Sequence, residues 1–229
     1  MPIHPKISCI IPFYNEGQRV NNVLNVVTQI RNLSEIICVD DASATDKSAE
    51  IKQLYPKITL VRLETNLGKT GAIREGLRYA TGEYVLLLDA DLRNLAREEI
   101  EKAIDAVRQS NDIDMLILRR VKAPFFVKLT RGDVIVTGER ILKKIDLQEI
   151  LQSSIKGWQL EVAINRYMHR LKKNVFWMPH SGINMHRKGK WRDDIKHHQK
   201  TLADIISAAG LFSLIGLILF FAKKEIKQK

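Results

Sequence analysis

Asp89-Ala90-Asp91 closes the apolar run Tyr84-Val85-Leu86-Leu87-Leu88 and sets two carboxylates at the end of a segment that reads as a buried strand. An unpaired carboxylate is too costly to bury, so such a pair lines a cleft or binds a cation. Hard divalent ions take oxygen ligands, and the chemistry on offer is the holding of a metal-bound diphosphate. Two more polar clusters close earlier apolar runs: Pro12-Phe13-Tyr14-Asn15-Glu16 follows Ile7 to Ile11, and Asp40-Asp41 follows Ile36 to Val39. In a parallel sheet all strand carboxyl ends share one edge, which is where open α/β sheets bind ligands. Any one cluster by itself reads as an N-cap or a solvated loop; three at one edge argue for a site.

The elements that must position them alternate. Strand signals at Ile7 to Ile11, Ile36 to Val39, Ile58 to Leu63, Tyr84 to Leu88 and Met115 to Leu118 are separated by helical spacings. Val20, Leu24, Val27 and Ile30 form one apolar stripe, and Ile100, Ala103, Ile104 and Val107 form another. Between them lie a helix running to Leu54, with Ser43 or Thr45 available as its cap, and a helix over Lys69 to Ala80 stopped by Thr81-Gly82. The pattern predicts an α/β fold, a mostly parallel sheet flanked by helices. From Arg119 onward it loosens, with a turn at Arg131-Gly132-Asp133, a helix over Glu139 to Lys144 and another over Gln159 to Leu171. Three parts are expected: 1–118 as the ligand-binding half, 119–200 as the second half of the same domain, and 201–229 as a tail.

Gly68-Lys69-Thr70 stands between a strand and a helix but is not a P-loop, because the required earlier glycine position holds Leu63. What remains is Lys69 beside a helix amino terminus, an arrangement that favours an anion. The net charge of +11 and isoelectric point near 9.7 would suit nucleic acid, but no zinc-knuckle spacing, aromatic RNA-binding signature or basic recognition helix is present. Phosphorylated small molecules and anionic lipid surfaces attract the same charge. Cys9 and Cys38 lie in apolar runs and form no metal or disulfide framework, which fits a reducing cytoplasm. The stretch Ile205 to Ala222 carries no charge. As a helix it would extend about 27 Å, close to the ~30 Å core of a bilayer. Membrane association is expected there, with a buried or oligomer-packing helix as the alternative; the basic residues on both sides leave spanning and re-entrant insertion open.

Ile10-Ile11-Pro12-Phe13-Tyr14-Asn15-Glu16, Val39-Asp40-Asp41-Ala42-Ser43, Asn66-Leu67-Gly68-Lys69 and Leu88-Asp89-Ala90-Asp91-Leu92 stand in the order and spacing of family 2 glycosyltransferases. The chain resembles most the branch containing dolichyl-phosphate mannose synthase and polyprenyl-phosphate glycosyltransferases. The resemblance implies the GT-A fold, with a C-terminal hydrophobic helix in this chain, and makes the first half a nucleotide-sugar-binding half. It implies that Pro12, Tyr14 and Glu16 hold the nucleoside, with Asp40 and Asp41 beside the base or ribose and Lys69 by the anion. Asp89 and Asp91 match the family's DXD motif, which binds ribose and, through Mg2+ or Mn2+, the diphosphate; Asp91 is thereby also a catalytic candidate. Arg93 departs from the pattern, since the branch commonly has a metal-holding glutamine there. By weaker resemblance, Arg131-Gly132-Asp133 through Gly138-Glu139-Arg140-Ile141-Leu142 is similar to the segment where basic side chains meet the acceptor. Glu161 lies where relatives place an acidic residue that could deprotonate a hydroxyl, or is a carboxylate salt-bridged on its helix with Asn165 and Arg166. His186 and Lys188 lie in a stretch that resembles a basic element where a histidine completes the metal site or lies by the diphosphate.

The implied activity is metal-dependent, inverting transfer of a hexose from a UDP- or GDP-linked sugar to a membrane acceptor, foremost a polyprenyl phosphate, at the cytoplasmic membrane face. A hydroxyl acceptor on a glycan, glycerolipid or phosphoglycerate is the alternative. A sugar nucleotidyltransferase would open with a glycine-rich loop after the first strand, and Pro12 to Glu16 is none. A non-catalytic membrane adaptor keeping the fold, and assembly as a homo-oligomer, stay open.

Overall fold

A computed structural model of the chain describes residues 4–110, 112–121, 132–135, 137–153 and 159–184, together with Phe220 and Ile226. Every side chain of β1 (Ile7–Phe13) is buried. Alternate residues of a strand face opposite sides, so a continuous apolar run is what a sheet covered on both faces requires. Cys9, Ile11 and Phe13 enter one core and Ile10 the other. The first core lies under α1 (Arg19–Val27), which buries Val20, Val23, Leu24 and Val27 at helical spacing.

Next in the chain come β2 (Glu35–Asp40), α2 (Ser48–Leu54), β3 (Thr59–Arg62), α3 (Gly68–Tyr79), β4 (Tyr84–Leu87), β5 (Leu92–Arg93), α4 (Arg97–Gln109) and β6 (Met115–Arg120). They are followed by α5 (Gly132–Ile135), β7 (Arg140–Lys143), α6 (Lys144–Leu151), α7 (Gln159–Arg170), β8 (Val175–His180) and β9 (Ile183–Asn184). The main sheet has seven strands in the order β3-β2-β1-β4-β7-β6-β8. All neighbours pair in parallel except β7, which is antiparallel to both β4 and β6. The expected mostly parallel α/β sheet is therefore present. Ile100, Ala103, Ile104 and Val107 of α4 join α1 on one face. Ala72, Ile73 and Leu77 of α3, with Leu147 of α6 and Ile164 of α7, cover the other. Gly76 lets α3 press onto the sheet, since a Cβ there would lie 2.8 Å from the Ile10 side chain.

Two local expectations are corrected. Glu139 to Lys144 does not form a helix: Arg140–Lys143 is strand β7, and the helix begins at Lys144. A four-residue run cannot declare its period, and pairing of Ile141 with both Leu86 and Leu116 decides the matter. Neither Ser43 nor Thr45 caps α2, which begins after Lys47 without a side-chain cap; the Asp46 carboxylate instead accepts the Ser48 N–H at 2.8 Å.

Cys9 and Cys38 are free and buried on adjacent strands. Burial raises both thiol pKa values, that of Cys38 to about 12, so they act as small apolar groups. Among the described residues no helix is long and apolar enough to cross a membrane. The expected tail helix, 205–222, lies outside the described residues except for Phe220, whose ring meets His169 edge-on at 5.2 Å.

Candidate active site

The carboxyl ends of β1 and β2 are tied together before any ligand is considered. Asn15, in the left-handed region at φ 55°, donates its N–H to Ser43 Oγ at 2.9 Å, and its Oδ1 accepts the Ala44 N–H at 2.8 Å. Asp40 is buried, pairs with Arg62 and accepts the Ser43 N–H at 2.9 Å. Asp41, also buried, accepts the Leu67 N–H at 2.7 Å just before α3. Both aspartates thus shape the loops that border the cleft. Pro12 is buried inside β1, Tyr14 is half exposed beyond it, and Glu16 pairs with Arg19 at 2.9 Å. Phe13, Asn15, Gly17, Ser43, Thr45 and Lys47 line a small cleft of about 130 Å³ at this corner.

The second half of the site is a chain of alternating charges. Lys69, on the first turn of α3, places Nζ 2.6 Å from Asp89 Oδ1 and 2.9 Å from Glu161 Oε1. Burial alone would lower the Lys69 pKa, but Asp89 and Glu161 outweigh it and raise the value. Gly138 closes over this contact: a Cβ there would stand 2.7 Å from Lys69 Nζ and 2.9 Å from each Asp89 oxygen. Next to it, Arg120 at the end of β6 meets Glu139 at 3.2 Å. Glu139 is fully buried and also accepts the Thr137 hydroxyl. Burial opposes the Arg120 charge, whereas Glu139 and then Asp89 sustain it and leave the pKa raised. Arg140 is fully buried and donates to Asn165 Oδ1 at 3.1 Å and to the Thr137 carbonyl. Burial lowers its pKa against the pull of Glu161, Glu139 and Asp89.

The donor set at Asp89 and Asp91 fits a hard divalent ion. Burial, followed by the charges of Asp89, Glu16 and Glu139, pushes Asp91 up to about 6. That crowding of carboxylates is what a bound cation relieves. Among the described residues no three His, Cys, Asp or Glu side chains are arranged to hold a metal. Two carboxylates suffice where diphosphate oxygens and water complete the shell, as is usual for Mg2+. Arg93 is exposed on β5, whose partner β9 sets Ile183 opposite Arg93 and Asn184 opposite Leu92.

The structure thus brings Lys69, Asp89 and Glu161 into contact, and Arg120 joins them to Asp91 electrostatically. Asn165 binds Arg140 and the Ile135 carbonyl, and the ion pair of Glu161 runs to Lys69 on another helix. Arg131, His186 and Lys188 lie outside the described residues. Sequence reasoning missed Arg120 and His180, and it placed Gly138, Glu139 and Arg140 only within the segment expected to meet the acceptor, without naming their roles. His180, buried at the end of β8, accepts the Gly182 N–H on Nδ1 at 3.2 Å, and burial lowers its pKa. Arg120 and His180 end strands parallel to β1, so the shared-edge rule applied to β6 and β8 would have found both. Glu139 precedes β7 and Arg140 begins it, and the strand's reversed direction brings its amino end to that edge.

A family model described as glycosyl transferase family 2 matches residues 8–155. A dolichol-phosphate mannosyltransferase of Pyrococcus furiosus is 32% identical over 151 residues, which are 61% of this chain and 42% of the relative. An undecaprenyl-phosphate 4-deoxy-4-formamido-L-arabinose transferase of Photorhabdus laumondii is 35% identical over 117 residues, 47% of this chain and 35% of the relative. The chain therefore spans less than half the length of these two relatives. A glucosyl-3-phosphoglycerate synthase from Mycobacterium tuberculosis, solved with Mn2+, UDP and phosphoglyceric acid, superimposes with a TM-score of 0.68 at 16% identity. The overlap takes in 89% of this chain and 78% of that one, which identifies the fold as GT-A-like.

Proposed function

Because the chain belongs to glycosyl transferase family 2, we propose that it transfers a hexose from a UDP- or GDP-linked sugar to a lipid phosphate at the cytoplasmic membrane face, with inversion at the anomeric carbon. The observation that carries this reading is the meeting of Asp89, Asp91, Lys69 and Arg120 at the carboxyl edge of the sheet. Pro12, Tyr14, Glu16, Asp40 and Asp41 border the nucleoside end. Asp89 and Asp91 would hold Mg2+ or Mn2+, which when bound neutralises charge growing on the departing diphosphate. Lys69 and Arg120 add fixed positive charge beside that position, and such preorganised charge needs no rearrangement as the reaction proceeds.

In the transfer, an oxygen of the acceptor phosphate forms the new bond to the anomeric carbon. The bond from that carbon to the diphosphate breaks, and the nucleoside diphosphate leaves with the electron pair. A lipid phosphate is ionised near neutral pH and needs no base. Glu161 fits this reading because it is already engaged in an ion pair with Lys69 at 2.9 Å, and a phosphate acceptor leaves it no proton to remove. The dolichol phosphate and undecaprenyl phosphate in the names of the mannosyl- and arabinosyltransferase relatives, and the uncharged stretch Ile205 to Ala222, support a membrane acceptor.

The test incubates membranes containing the full chain with labelled UDP- and GDP-sugars and extracts the lipids. Label entering an organic-soluble, mild-acid-labile lipid with one donor is the expected result. Label confined to water-soluble product would overturn the lipid-phosphate acceptor, and no transfer with any donor would remove the activity itself.

A further inference from the structure

Lys69 occupies the place a metal would contest. Its ammonium lies 2.6 Å from Asp89 Oδ1, beside an oxygen that would ligate a divalent ion. An ammonium and a divalent cation repel strongly at such separation in a partly enclosed site. The Asp89 contact and a metal ion on Asp89 therefore compete. Glu161 is more deeply buried than Asp89: its side chain is 4% exposed against 16%, and it sits on the first turn of α7. An ammonium has three donors, so Lys69 can keep Glu161 while exchanging its second partner. Gly138 has no side chain to fill the space beside both Lys69 and Asp89.

We propose that Lys69 is an internal counter-ion that leaves Asp89 for the donor diphosphate when the metal-bound nucleotide enters, and that Glu161 is the positioning residue holding it through the exchange. This rests on the sugar-nucleotide reading of the site and deepens it, giving Glu161 a role other than general base. The exchange keeps Asp89 neutralised in the empty site and supplies a cation to the diphosphate without a long side-chain search.

The experiment measures Mn2+ alone by electron paramagnetic resonance, and then UDP or GDP in the presence of Mn2+ by calorimetry, on the full chain. In Glu161→Gln the ammonium loses its charged anchor and settles on Asp89, so Mn2+ affinity falls about tenfold. In Lys69→Met the competitor is gone: Mn2+ alone binds at least as tightly as to the parent, while nucleotide diphosphate binding weakens about tenfold or more. Adding Glu161→Gln to Lys69→Met then leaves Mn2+ affinity unchanged, because the effect of Glu161 is routed through Lys69. Lys69→Gln replaces Lys69→Met if melting curves show the latter unfolded. Unchanged Mn2+ binding in Glu161→Gln overturns the proposal, as does an equal loss in the presence and absence of Lys69. A parent chain that binds neither Mn2+ nor nucleotide overturns the site reading itself, which is a separate outcome.

Discussion

Gly138→Ala tests the geometry of the charge cluster with a single methyl group. The φ angle of Gly138 is not among the positive ones, so alanine is allowed by the backbone and the obstacle is space. The added carbon would stand 2.7 Å from Lys69 Nζ and 2.9 Å from both oxygens of Asp89. Ordinary contact lies at about 3.5 Å. Lys69 can swing away, but Asp89 is a short side chain at the end of β4 and must retreat by roughly half an ångström. A misplacement of about 1 Å at reacting groups costs about a hundredfold in rate, so a shift half that size predicts about a tenfold loss of turnover. Overpacking itself should cost about 1–3 kcal/mol of stability. Melting curves and the lipid-extraction assay, run side by side, separate the two effects. A folded variant with parental turnover and parental Mn2+ affinity would refute the claim that Gly138 sets the distance between Lys69 and Asp89.

Ala42 sits in the left-handed region at φ 60°, where a side chain costs about 1–2 kcal/mol, so Ala42→Gly should raise stability by up to about 1 kcal/mol after glycine's added entropy loss. A lower urea midpoint would contradict it. Glu35 is half-buried, which alone would raise its pKa, but the Ser8 hydroxyl at 2.5 Å and the Thr81 N–H at 2.6 Å outweigh burial and lower it. A carboxylate whose folded pKa is depressed stabilises the fold above its unfolded pKa of about 4.3 and loses that contribution as pH falls through the folded value. The stability advantage of the parent over Glu35→Gln should therefore be constant near neutrality and shrink on acidification below about pH 4; an advantage independent of pH would rule this out. Asn165→Ala strips the fully buried Arg140 of its acceptor at 3.1 Å and should cost about 1.5–3 kcal/mol by denaturant titration. A change below about 0.5 kcal/mol would mean that Arg140 is held by its other contacts.

The parallel half of the fold is legible because its signals are redundant. Cys9, Ile11 and Phe13 must face one core and Ile10 the other, so the strand shows as an unbroken apolar run whatever surrounds it. The α1 stripe at Val20, Val23, Leu24 and Val27 is equally local. β7 is not local: Arg140–Lys143 becomes a strand only because β4 and β6 offer edges on both sides. The site divides along the same line. Asp40, Asp41, Asp89 and Asp91 end parallel strands and announce themselves by position, whereas the partner of Glu161 lies 92 residues away on α3 and no spacing rule points to it.

The antiparallel insertion of β7 has a chemical consequence that a fully parallel sheet would lack. It delivers Gly138 and Glu139, which precede the strand, and Arg140, which begins it, to the edge where the other strands end. Glu139 then fixes Arg120 from below, Arg140 is locked by Asn165, and Gly138 leaves room over Asp89. Two of the three cations are thereby immobilised by buried partners, at 0% exposure for both Glu139 and Asn165. Lys69 is more exposed than Arg120, 30% against 23%, and its two carboxylate partners come from different elements. Fixed charges suit a role that is the same in every state of the site, such as keeping the potential positive where a diphosphate rests. A charge shared between two carboxylates suits a role that changes on binding, which is the role proposed for Lys69.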